Sequence, residues 1–262
     1  MRQCAFCLST ASLTGEHLRS DWVNKLLESR THHYDIYQRR YGTTPTRWTG
    51  KRFDLKANVV CGDCNSGWMS QIDRDAKHCL QDIILHDCNV CILPQSLAAI
   101  AAYTMKSAFI GDYITRHREP FFDHQTRQQF AHSQRPIDEA HMWIGRIQQP
   151  RGKKQGIYKT RYGQPHGSTV VRLPDAYVFT LSIEALLLQL AITRFDDPIV
   201  GDTAYSPELN QEKRLDTIFV PFWPLRVVNR CVEWPPVQSI NHSQLGEVAN
   251  RFTHLTISGY EK

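Results

Sequence analysis

A chain of 262 residues can bury a full hydrophobic core, as one large domain or two modest ones. With 41% hydrophobic and 22% charged residues, its composition is that of a folded globular protein and excludes long disorder. A net charge of +5 and a pI near 8.8 accommodate a polyanionic partner without requiring one. No apolar run reaches the roughly 18 residues of a bilayer span, and Met1, Arg2, Gln3 and Cys4 lack the apolar core of a signal peptide. These features place the protein in a reducing cytoplasm, away from membranes. There its eight cysteines read as metal ligands or buried thiols rather than as a disulfide framework.

The first pattern along the chain is Cys4-Ala-Phe-Cys7, and it recurs as Cys61-Gly-Asp-Cys64. Two residues between cysteines make the tight turn that points both sulfurs at one ion, so Cys4, Cys7, Cys61 and Cys64 together offer a tetrahedral structural zinc site. Between the knuckles lies Thr14-Gly-Glu16-His17, followed by Trp22, Val23, Leu26 and Leu27 at the spacing of a short helix. The polar stretch 31–56 carries Arg39, Arg40, Arg47, Lys51 and Arg52, which read as a solvated loop before a nucleic-acid contact. Phe53 to Val60 has the pattern of a strand leading into the second knuckle.

After Asn65, the stripe Trp68, Ile72, Ala76, Cys79, Leu80, Ile83 and Ile84 predicts an amphipathic helix, with Asp73, Lys77 and Asp82 largely off it. Pro94 opens a second helix through Leu97, Ile100, Tyr103 and Phe109 to about Tyr113. Cys88-Asn-Val-Cys91 repeats the C-x-x-C spacing but lacks two further convergent ligands, and Cys231 stands alone; these read as buried thiols before a second metal site. Residues 112–140 read as a polar connection broken by Pro120 and Pro136. Beyond it, β-branched and aromatic runs at 141–147, 157–160, 168–173, 177–181 and 217–223 predict a mainly antiparallel sheet. Residues 183–192 read as either a continued strand or a helix, with the helix favoured, and 244–254 as a last short helix. Between Glu139 and Asp175 there is no acid, while Arg146, Arg151, Lys153, Lys154, Lys159 and Arg161 occur with Tyr158 and Tyr162. That stretch reads either as a solvated hairpin or as a phosphate-tracking surface with tyrosines for base stacking.

The order C-x-x-C, acid-His, C-x-x-C-Asn over about residues 1–75 resembles the zinc-stapled branch of the HNH (ββα-metal) endonucleases. The resemblance implies a zinc-stapled ββα module, which with its attached helices takes 1–115; together with an accessory region over 140–262, read from its sheet-forming runs, it makes an α+β protein. It also implies metal-dependent hydrolysis of phosphodiester bonds, with DNA as the partner. In that reading His17 is the general base on water, Glu16 and Asn65 hold the catalytic metal, and Asn58 steadies the base. Oxygen ligands at those positions suit Mg²⁺ or Mn²⁺ better than a second zinc. Asn58 lies closer to the second knuckle than the family's middle asparagine, and no proline follows soon after His17. Two other readings stay open: a degenerate module that binds nucleic acid or protein without cutting, and an enzyme of another class that keeps the zinc ribbon as a staple.

Overall fold

The computed structural model describes residues 2–27, 34–38, 46–50, 55–114, 120–148, 157–162, 175–194, 218–225, 231–241, 244–245 and 248. The protein is a mixed α+β structure. Strand β1 (Leu13–His17) pairs antiparallel with β4 (Lys56–Cys61). Between them come α1 (Asp21–Leu27) and the hairpin of β2 (Tyr34–Gln38) and β3 (Thr46–Gly50). From Cys61 the chain turns straight into α2 (Gly62–Cys64), passes a wide turn kinked at Gly67, and continues as α3 (Ser70–His86). The predicted stripe is the face that α3 buries: Ile72, Ala76, Leu80, Ile83 and Ile84. An apolar residue every three or four positions can leave water on one side only if the backbone is helical.

Helix α4 (Pro94–Ile114) differs from its neighbour in being buried around its whole circumference from Ile100 to Asp112. It is packed on one side by the knuckles and α3 and on the other by the large sheet. The Phe6 ring centre lies 5.9 Å from that of Phe109 and 5.2 Å from that of Trp68, and the Tyr177 hydroxyl donates to the Ala108 carbonyl at 2.9 Å. A Cβ on Gly111 would lie 3.2 Å from side-chain atoms of both Leu18 and Phe179, so the close approach of helix and sheet depends on that glycine.

The sheet comprises β6 (Ala140–Gln148), β7 (Ile157–Tyr162), β8 (Asp175–Ile183), β9 (Leu186–Arg194) and β10 (Phe219–Trp223), in the order β10-β6-β9-β8-β7. The pairings along this order are antiparallel, as the sequence predicts, and Ile240–Asn241 adds a short sixth strand parallel to β6. Two expectations fail here. The segment expected as a helix at 183–192 is mostly β9, joined to β8 by a turn in which Glu184 has φ 52. Leu186, Leu188, Leu190 and Ile192 join the core shared with α4, while Leu187 and Ala191 join a second cluster with Trp143, Phe219, Leu245 and Val248. Burial on both faces makes the strand a continuous apolar run, which periodicity cannot separate from a buried helix. The polar connection also contains α5 (His124–Ser133), begun by the Asp123 carboxylate accepting from the Thr126 amide at 2.7 Å.

A further correction concerns Cys91 and Cys231. Strand β5 (Val90–Ile92) pairs with β11 (Val232–Trp234), and Cys91 within β5 forms a disulfide with Cys231, just before β11, with a Cα separation of 5.6 Å. They are not buried thiols, and the pairing was hidden because its members are 140 residues apart. Metal-free, denatured protein should titrate six thiols before reduction and all eight after it. Eight before reduction would show the bridge absent. Closing so long a loop should stabilise the fold by about 2–4 kcal/mol, read as a lower denaturation midpoint under reductant. The main core runs without interruption from Cys4 and Phe6 to Val232 and Trp234, and so includes both the amino-terminal and carboxy-terminal halves.

Candidate functional site

The two knuckles are joined through backbone as well as sulfur. The Ala5 amide donates to the Val59 carbonyl at 2.8 Å, and the Cys61 amide approaches Cys4 Sγ at 3.4 Å. Leu8 turns the chain out of the first knuckle with φ 59. The sulfurs of Cys4, Cys7, Cys61 and Cys64 all lie within 4.8 Å of one another, and Cys7 and Cys61 are 3.5 Å apart. A tetrahedron with Zn–S near 2.3 Å has edges of about 3.8 Å, so the four cysteines can hold a metal such as zinc. Burial pushes the Cys4 thiol up, but backbone donors at Cys7 and Cys61 outweigh it and bring it down to about 7. Burial and the neighbouring sulfurs raise Cys64, against a lowering contact from Trp68. Four thiolates cannot share this space without a cation, and a bound metal removes that conflict. Arg127 of α5 braces the first knuckle: its Nε donates to the Ala5 carbonyl at 2.8 Å, and its guanidinium lies 5.3 Å from the Tyr113 ring centre.

On β1, successive side chains alternate between faces. Glu16 pairs in register with Ala57 and is only 4% exposed, whereas His17 pairs with Lys56 and Gly15 with Asn58. His17 therefore shares the outward face with Asn58, and Glu16 turns into the core. A Cβ on Gly15 would lie 2.9 Å from Asn58 Oδ1, so the glycine is what lets that amide lie across the strand. Asn65 reaches β1 at its other end, donating from Nδ2 to Thr14 Oγ1 at 2.9 Å, while Thr14 Oγ1 donates to the Val60 carbonyl at 3.0 Å.

Glu16 meets a group that the motif search passed over. Lys106 Nζ donates to Glu16 Oε1 at 2.7 Å and to Asp73 Oδ1 at 2.6 Å, and lies 3.3 Å from Ser20 Oγ. Ser20 Oγ in turn donates to Asp73 Oδ1 at 2.6 Å. The Lys106 side chain is fully buried. Burial would lower its pKa, but the charges of Asp73 and Glu16 outweigh that and raise it, so the ammonium is retained. A single cation in the apolar run from Leu97 to Gly111 was the available signal. Its partners are 33 and 90 residues away, and nothing local announces them. With Glu16 Oε1 held by an ammonium, the residues as placed do not fit a divalent ion on Glu16.

Among the basic candidates, Arg146 is already engaged, its Nε and Nη2 both donating to the Asp87 carboxylate at the end of α3. That pairing occupies one edge of its planar guanidinium. Lys159 and Arg161 lie on β7, in register with Phe179 and Tyr177 of β8. Arg151, Lys153 and Lys154 lie outside the described residues, as do the expected strand at 168–173 and most of the expected helix at 244–254. Cys88 and Cys91 join no metal-binding group; among the described residues the four knuckle cysteines form the only one. No helix among the described residues is long and apolar enough to cross a membrane. No protein-family model, curated protein or solved structure matches the chain.

Proposed function

We propose that the amino-terminal part of the chain is a zinc-stapled ββα module of the HNH endonuclease type that hydrolyses phosphodiester bonds in DNA. The observation that carries this reading is the placement of His17 and Asn58 on one outward face of the antiparallel pair β1–β4, beside four cysteines that gather at the start of a helix. His17 takes a proton from the attacking water, and Asn58 steadies the imidazole. A divalent ion supplies charge neutralisation in phosphodiester hydrolysis, but no step here is assigned to an ion on Glu16. The carboxy-terminal region positions substrate or a partner. Incubating zinc-loaded protein with single- and double-stranded DNA in Mg²⁺, Mn²⁺ or EDTA tests the proposal, and cleavage above the EDTA control is the expected result.

The second reading, a module that binds without cutting, is favoured by the engagement of Glu16 with Lys106. Binding with no cleavage in any metal selects it. In either case the basic stretch has its own test. Replacing Lys153 and Lys154 by Ala should make the log-log salt dependence of DNA binding shallower by roughly 1 to 2 units if both neutralise phosphates; an unchanged slope returns them to a solvated hairpin.

A further inference from the structure

Three oxygens converge on Lys106 Nζ from three separate parts of the fold: Glu16 Oε1 from β1, Ser20 Oγ from the turn before α1, and Asp73 Oδ1 from α3. Two carboxylates and a hydroxyl around a central point are what a hard cation seeks. Here an ammonium fills that point, with its three donors matching the three oxygens. Unlike a soluble ion, this cation is fully buried and covalently tethered to α4, so it cannot be exchanged. Removing it would leave Glu16 buried without a counter-charge, which is costly in a low-dielectric interior.

We infer that the Lys106 ammonium stands in place of a divalent cation beside Glu16, so that Glu16 is a positioning residue that fixes β1 rather than a metal ligand. The inference deepens the HNH-type reading and rests on it only for the role it reassigns. By holding Glu16 inward, the cluster fixes the register of β1, and alternation then sets His17 outward. Any divalent ion used by the outward face is bound independently of Glu16.

The test is Mn²⁺ titration of the zinc-loaded full chain, followed by electron paramagnetic resonance of free Mn²⁺. Wild type and Glu16→Gln should give the same titration. Lys106→Ala should acquire a Mn²⁺ site that wild type lacks, and adding Glu16→Gln should abolish it. A merely structural ion pair would lose stability in Lys106→Ala without gaining Mn²⁺, so a folded Lys106→Ala protein with no new site overturns the inference. So does a wild-type Mn²⁺ affinity that Glu16→Gln weakens by about tenfold or more. Should Lys106→Ala fail to fold, judged by zinc content and circular dichroism, the comparison of wild type with Glu16→Gln decides by itself. None of these readouts requires cleavage. Failure to cut DNA would overturn the nuclease reading and leave this one standing.

Discussion

Protein carrying Cys61→Ser and Cys64→Ser, or stripped by a strong chelator, should lose both its metal and the fold of its amino-terminal part. Structural zinc in small modules contributes about 10–16 kcal/mol of apparent folding free energy at neutral pH. That is comparable with the roughly 5–15 kcal/mol by which an entire domain is stable. In this chain the staple closes two distant segments, since Cys7 and Cys61 are 54 residues apart. The loss would spread through Phe6, which is fully buried against Trp68 and Phe109. Elemental analysis should find a zinc ion per wild-type chain and none in the double variant, and near-ultraviolet circular dichroism should report the loosened aromatic cluster. Unchanged zinc content or unchanged aromatic signals in the variant would reject the staple.

His17→Ala should lower DNA cleavage by roughly 10²- to 10⁴-fold, the loss expected on removing a general base. Because His17 lies on the outward face of β1, opposite the Glu16 cluster, the substitution removes no core side chain. Zinc content, melting temperature and DNA affinity should therefore stay near wild type. A variant that cuts at the wild-type rate would place the base elsewhere. Glu16→Gln makes the contrast: it removes a charge from the Lys106 cluster, so it should lower stability before it alters metal dependence.

The sequence by itself determined what depends on spacing along a few turns of chain. Two C-x-x-C pairs, the apolar stripe of α3, Pro94 at the start of α4 and the β-branched runs of the sheet are local patterns, and their geometry follows from backbone periodicity. Even α5 had a legible start in Asp123 and Thr126, missed because the surrounding polarity resembled a loop. Tertiary structure decided the rest. Whether Leu186–Arg194 is a strand depended on neighbours covering both of its faces. The Cys91–Cys231 bridge required β5 and β11 to meet across 140 residues. The acid and histidine are adjacent in sequence, yet Glu16 went to Lys106 and His17 to the outward face. A strand must send neighbours to opposite sides, and only the packing of α4 against it determines which side holds the charge.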